Sequence, residues 1–271
     1  MEYVTLNNGI RMPMAGFGTW DVRGEEGLRI LKDAIGAGYR LFDTAEMYRN
    51  EEIVGKAVRD SGIPREEFFV ETKISHACAS AAETLTAVEA RLGQLGLDYA
   101  DLILIHEPYR QAEEMYRGLE QALEKGMVRA AGISNFMEKP YRALLSSCRS
   151  VPAVNQIESH VYYPQQEMRD LLKSSGTAMQ SWGSFTEGKR NIFAEEILNE
   201  IGAAHGKTAG QTALRYLIQN GICVIPKSQR RTRMEENINI FDFELSADEM
   251  KRIGTMNERK SLFGWYGNHW M

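Results

Sequence analysis

After a short opening segment, the chain keeps one rhythm to its end. A short apolar run of strand length is followed by an amphipathic stretch at helical spacing, and the pair then repeats. The apolar runs lie at 14–18, 40–44, 68–73, 101–106, 128–134, 153–158, 178–182 and 222–227. Several are apolar at consecutive positions, as strands buried on both faces must be. Helical spacing is plain at 25–38, where Leu28, Leu31 and Ile35 share a side, and at 80–96, with Leu85, Val88 and Leu92. Further amphipathic stretches lie at 113–126, 140–148, 166–176 and 209–221, and several end in Gly, the usual stop at a helix C-terminus. About eight strands and eight helices are expected, at roughly 32 residues per pair, close to the ~30 of one βα unit.

Alternating β and α leaves two architectures, a closed eight-stranded barrel or an open doubly wound sheet. An open sheet holding a dinucleotide would carry GxGxxG directly after its first strand. GFGTW and GAGYR are the only approaches to that pattern, and neither completes it. Eight even units favour the barrel. The opening segment, YVTLNNGIRM, places two short runs about Asn8-Gly9, a pair suited to a tight hairpin turn. No linker or low-complexity stretch divides the 271 residues, so one domain over 1–271 is expected.

Composition narrows the function. The net charge is −5, with no basic excess to hold a nucleic-acid backbone. No apolar run approaches the ~18 residues of a membrane helix, and the start shows no signal or transit pattern. Cys78, Cys148 and Cys223 are sparse and odd in number, which suits a reducing, cytoplasmic setting. His76, His106, His160, His205 and His269 show no HxH or HExxH spacing, so no metal site is expected.

In a parallel barrel the active site forms at the C-terminal ends of the strands. Seven consecutive strands are predicted to end in or carry a polar group or tryptophan there. They supply Asp43 with Tyr48 just after, Lys73, His106, Ser134-Asn135, Gln156, Trp182 and Lys227-Ser228. Taken singly each has an ordinary explanation, such as Asp43 capping the next helix. Together they suggest one chemistry. Hydride addition to a carbonyl leaves an alkoxide that needs a proton. A tyrosine beside an ammonium has its pKa lowered toward that task, and a carboxylate keeps the ammonium charged. A neutral histidine can aim the carbonyl oxygen. No side chain supplies hydride, so a nicotinamide must.

The hairpin and the segments DTAEMYRNEEIVG (43–55), ETK (71–73), LILIHEP (102–108), RAAGISNF (129–136), VNQIE (154–158) and IPKSQRRTRMEEN (225–237) together resemble the aldo-keto reductases. The resemblance spans essentially the whole chain in order. It implies a (β/α)8 TIM barrel closed at its base by the N-terminal hairpin. It also implies a catalytic tetrad of Asp43, Tyr48, Lys73 and His106, with Tyr48 as proton donor. Ser134, Asn135 and Gln156 match positions that hold the nicotinamide carboxamide, and Gly18 and Thr19 match backbone near its ribose. Trp182 matches the aromatic that stacks on the nicotinamide. Lys227, Ser228 and Arg233 match the grip on the adenosine 2′-phosphate and Asn237 the adenine contact, so NADP(H) is the implied cofactor. An arginine fork and a lysine suit a phosphate dianion.

The chain also departs from the family. Glu107 stands before Pro108 where relatives commonly have Trp, placing a carboxylate at the pocket wall unless it turns out into solvent. The stretch 109–114 is short, which points to an open pocket. SWGSFTEG replaces a Pro-containing loop, leaving Ser184, Phe185 and Glu187 as further cofactor candidates. The aromatic tail SLFGWYGNHWM, with Trp20, makes Trp20, Phe263, Trp265 and Tyr266 candidate pocket walls. The expected partner is a small carbonyl compound, and a monomer is expected. Two rival readings stand beside this one: a cofactor-holding regulatory subunit without turnover, and a metal-dependent or isomerase barrel.

Overall fold

A computed structural model describes residues 1–264. Strands β1 (Tyr3–Thr5) and β2 (Arg11–Pro13) form an antiparallel hairpin in which Tyr3 faces Pro13. Eight parallel strands follow: β3 (Phe17–Gly18), β4 (Leu41–Asp43), β5 (Phe69–Ile74), β6 (Ala100–Ile105), β7 (Val128–Ser134), β8 (Val154–Glu158), β9 (Ala178–Trp182) and β10 (Ile222–Val224). Each pairs with the next in sequence order. The sheet closes on itself where Ala15 bridges Val224, with Gly16 N–H donating to the Val224 carbonyl and Val224 N–H to that of Met14, both at 2.8 Å. The fold is therefore the expected (β/α)8 barrel, and every expected strand overlaps an observed one.

The hairpin covers the N-terminal rim. Asn7 Nδ2 donates to the carbonyls of Val151 and Pro152 at 3.1 and 3.3 Å, and Asn8 Nδ2 to that of Arg129 at 3.0 Å. These acceptors sit where β7 and β8 begin, so the opposite rim stays open for the site.

Among the described residues ten helices wrap the barrel, two more than the rhythm suggests. They are α1 (Gly24–Gly36), α2 (Glu51–Arg59), α3 (Ala81–Leu95), α4 (Ala112–Glu124), α5 (Glu138–Ser147), α6 (Gln166–Ser175), α7 (Glu196–Ala204), α8 (Ala209–Gln219), α9 (Arg231–Ile238) and α10 (Ala247–Gly254). Four of them, α2, α7, α9 and α10, lie outside the amphipathic stretches read from the sequence. Each is short, and α9 buries only Met234 and Asn237, too narrow a face for periodicity to reveal. Their ends are nevertheless coded locally. Ser246 and Glu249 form a reciprocal capping box at the start of α10, as Thr208 and Gln211 do at α8.

The strands pack a continuous core against the helices, with Leu102, Leu104, Ile133, Val154 and Ile157 fully buried. A second cluster of Phe17, Tyr39, Phe42 and Phe68 fills the side between β3–β5 and α1–α2. Helices α2 and α3 touch at Gly55, where an added Cβ would lie 1.7 Å from the Leu95 carbonyl oxygen. None of the described helices is long and apolar enough to cross a membrane.

Candidate active site

Side chains alternate along a strand, so Glu71 and Lys73 of β5 share its inward face. Lys73 is wholly buried, and its ammonium donates to the Asp43 carboxylate, to the Thr44 carbonyl at 3.0 Å and to the Tyr48 hydroxyl at 3.4 Å. Asp43 ends β4, the neighbouring strand, where the register pairs it with Glu71. Tyr48 arrives from a single 3-10 turn, Glu46–Tyr48, which Arg49 ends with a left-handed φ of 54°. The Tyr48 ring stands edge-on to Trp20 at 4.9 Å and to His106, just beyond β6, at 6.0 Å. The four residues that the sequence marked at three neighbouring strand ends thus meet at one point.

Burial governs their ionisation. It pushes the Tyr48 phenol up, and although Lys73 pulls it back, the net result is a rise to about 12. That reverses the sequence expectation, which weighed the ammonium and not the loss of water around the ring. Burial draws Lys73 down, but Asp43, Tyr48 and Glu71 outweigh it, and the ammonium stays charged well above its usual range. His106 is pushed down to about 3 by burial and by the charge of Lys73, so it is neutral at ordinary pH. Glu71, buried below Lys73, is raised well above the carboxylate range by burial and by the Asp43 charge.

The remaining residues form a second layer of contacts. Gln156 Nε2 donates to Asp43 at 2.9 Å and to Gln180 Oε1 at 2.7 Å. Thr19 is buried behind Asp43, its hydroxyl donating to the Asp43 carbonyl at 2.8 Å. The Ser134 hydroxyl donates to the Gln156 carbonyl at 3.0 Å. Asn135, with a left-handed φ of 64°, accepts from the Trp182 indole at 2.8 Å and donates to the Glu107 carboxylate at 2.9 Å. Glu107 therefore does not turn out into solvent; it is held inward by Asn135.

Two adjoining cavities run along this rim. One, of about 420 Å³, is lined by Gly18, Trp20, Asp43, Tyr48, Gln156 and Trp182, together with Ser184, Phe185, Glu187 and Lys227. The other, of about 490 Å³, is lined by Phe185, Gly210, Lys227, Ser228, Arg230, Arg233, Glu236 and Asn237. Phe185 and Lys227 line both, which joins an aromatic, polar end to a basic one. Gly18 makes the first end possible, since a Cβ there would come within 2.6 Å of the Ile225 carbonyl. At the basic end Arg231 is paired with Glu235 and Asp33. Among the described residues Lys227, Arg230 and Arg233 form no salt bridge, although Lys227 acts on the nearby Glu187 carboxylate and Glu236 also lines this cavity; the three cations outnumber the acids and leave charge for an anion. A furrow with aromatic and amide groups at one end and an excess of cations at the other fits a dinucleotide carrying an additional phosphate. Thr19, Glu107, Ser134 and Asn135 line neither cavity.

Phe263 packs edge-on to Trp182 at 5.0 Å, which brings the segment 261–264 to the mouth. Ser261 and the Leu262 N–H bind the buried Glu158 carboxylate there. Trp265 and Tyr266 lie outside the described residues. Two residues escaped the sequence reading. One is Arg230, inside the KSQRRTR motif, and the other is Ser75, just beyond the end of β5 and two positions past Lys73. The period of two along β5 was the signal for Ser75.

Comparison with known proteins agrees with this geometry. The profile described as "Aldo/keto reductase family" matches residues 14–258. A 9,11-endoperoxide prostaglandin H2 reductase of Trypanosoma cruzi (strain CL Brener) is 40% identical, the match covering 96% of this chain and 93% of that protein. An aldo-keto reductase from a Medee basin deep-sea metagenome library superimposes with a TM-score of 0.94 at 38% identity, over 98% of each chain. An aldo-keto reductase crystallised with NADPH gives a TM-score of 0.90 at 31% identity, over 96% of this chain and 89% of that one. Barrel, strand-end cluster and relatives converge, and the chain belongs to the aldo/keto reductase family, oxidoreductases that act on small carbonyl compounds with nicotinamide cofactors.

Proposed function

We propose that this protein is an NADP(H)-dependent reductase of aldehydes or ketones, running the alcohol oxidation in reverse, with Tyr48 as its proton donor. One observation carries the reading: a fully buried lysine joined to both Asp43 and the Tyr48 hydroxyl, beside a neutral histidine. NADPH, when bound, supplies the hydride. Trp182 and Gln156 would face its nicotinamide, and Lys227, Ser228, Arg233 and Asn237 its adenosine phosphate. An NADPH-bound relative of the same fold supports that assignment.

The chain's own groups handle the oxygen. A substrate carbonyl seated between Tyr48 and His106 accepts a hydrogen bond from the imidazole, which orients it and offsets its growing negative charge. Tyr48 then gives its proton to the alkoxide, a stronger base than the phenolate that remains. Lys73 stabilises that phenolate, and Asp43 holds the ammonium charged and in place. The high pKa of Tyr48 keeps the proton on the phenol until an alkoxide appears. Trp20 and Phe263 flank the opening, and the 1–271 chain works as one barrel domain.

The test is NADPH consumption against a panel of aldehydes and ketones. Turnover by the wild type, and its loss in Tyr48→Phe with NADPH binding intact, is expected. Equal rates for the two proteins on every substrate would overturn the reading.

A further inference from the structure

His106 makes one side-chain hydrogen bond among the described residues, and it is to Ser75: Nδ1 and the hydroxyl oxygen are 2.6 Å apart. The direction of that bond decides what His106 can do. A neutral imidazole carries a single N–H, on one nitrogen or the other. If it sits on Nδ1 it is spent on Ser75, and Nε2 shows a substrate oxygen a lone pair, which repels it. If it sits on Nε2, the ring offers the carbonyl a donor.

Ser75 settles the choice by its own bookkeeping. Its oxygen already accepts the Met47 N–H at 3.3 Å. Its single O–H has no other acceptor than Nδ1 among the described residues. The serine is itself held, because its N–H donates to the Glu46 carboxylate at 2.8 Å. Glu46 is anchored in turn by His76 at 2.8 Å and by Arg91 at 3.6 Å. One hydroxyl lone pair is taken by Met47, and the O–H finds its only acceptor among the described residues in Nδ1; the arrangement that satisfies the hydroxyl has it donating to Nδ1, which leaves the imidazole proton on Nε2.

We propose that Ser75 is a positioning residue that fixes His106 in the Nε2–H tautomer and so aims a hydrogen-bond donor at the substrate carbonyl. The same hydroxyl ties down Met47, the residue before Tyr48, so one group sets the attitude of the carbonyl-orienting histidine and of the turn that carries the proton donor. The inference rests on the role given to His106 above.

The experiment is 15N NMR of histidine-labelled protein, with the His106 signals assigned by their loss in His106→Gln. The wild type is expected to show His106 as the Nε2–H tautomer. Ser75→Ala is expected to bring in the Nδ1–H form and to lower kcat about tenfold, less than the ~100-fold that losing such a donor outright can cost. Ser75→Thr, which keeps the hydroxyl, is expected to restore both signals and rate. An Nδ1–H ring in the wild type, or a tautomer unchanged in Ser75→Ala, overturns the proposal. If instead His106→Gln reduces carbonyls as fast as wild type, the role of His106 fails while the tautomer assignment stands, so the two failures are told apart.

Discussion

Trp182 and Asn135 are joined side chain to side chain, the indole N–H donating to the Asn135 amide oxygen at 2.8 Å. The other end of that amide is held by Glu107. The ring proposed to stack on the nicotinamide is thereby set in its plane by a residue from a different strand end.

Breaking this link should loosen the cofactor. Glycine tolerates the left-handed φ of 64° at this position, so Asn135→Gly removes the amide without backbone strain. The NADPH dissociation constant, followed by quenching of tryptophan fluorescence, should rise about tenfold, or ~1.4 kcal/mol. An unchanged constant would show that Trp182 needs no partner.

Lys227 and Arg233 line the basic cavity, and among the described residues neither forms a salt bridge. Arg233→Ala should raise KM for NADPH by roughly 10- to 100-fold, in keeping with the ~1.5–3 kcal/mol of a charged hydrogen bond. KM for NADH should hardly move, because NADH has no 2′-phosphate to lose. Parallel losses for both cofactors would place the phosphate elsewhere. Steady-state kinetics with each cofactor at two salt concentrations makes the comparison.

The pH dependence has a definite sign. Reduction needs Tyr48 protonated and His106 neutral. His106 charges only below about 3 and Tyr48 loses its proton only near 12. The kcat/KM for carbonyl reduction in the free enzyme should therefore stay flat from about pH 6 to 10 and fall only as the pH approaches the tyrosine value. A drop centred near the ordinary histidine pKa of about 6.5 would contradict the burial of His106.

Glu51, the first residue of α2, is buried, and burial outweighs the Thr72 hydrogen bond and the Arg91 charge and pushes it up to about 7 from its usual 4.5. Between those values the folded state holds a proton that the unfolded chain releases. Its contribution to stability is thus fully present below about pH 4.5 and is lost as pH rises through 7, a change of about 3 kcal/mol. Subtracting urea-melt stabilities of Glu51→Gln from those of wild type across pH 4 to 8 should reveal this slope. A flat difference would mean the carboxylate is ionised at no cost.

Gly55→Ala should destabilise the barrel by about 1–3 kcal/mol or more, as overpacking does. The added methyl would fall 1.7 Å from the Leu95 carbonyl, so α2 and α3 must separate. Thermal unfolding by circular dichroism would measure it, and a melting temperature equal to wild type would show that the helices part without penalty.

Much of this site can be read along the chain. Asp43, Lys73, His106 and Gln156 stand at the ends of apolar runs, and a parallel barrel brings all such ends to one rim. Glu107 was legible as an anomaly, but its direction was not, because its partner Asn135 comes from the next strand and only closure of the sheet sets them 2.9 Å apart. The short helices α9 and α10 were invisible for the opposite reason: they bury only Met234 with Asn237, and Ile253, too few positions for a period to show.

By itself the sequence determined the barrel, through eight repeats whose buried strands permit no other closed arrangement of alternating β and α, and it marked most of the side chains that gather at the open rim. Only the tertiary structure decided how those side chains behave. The neighbouring ammonium argues that Tyr48 should become more acidic, and the packed rim makes it less so, because removing water from a phenolate costs more than one charge 3.4 Å away restores. The bond between Ser75 and His106 belongs to the same category. It joins two strand ends 31 residues apart in the chain, and a proton's place on a ring is set by what lies across a barrel rim, which no local pattern of residues encodes.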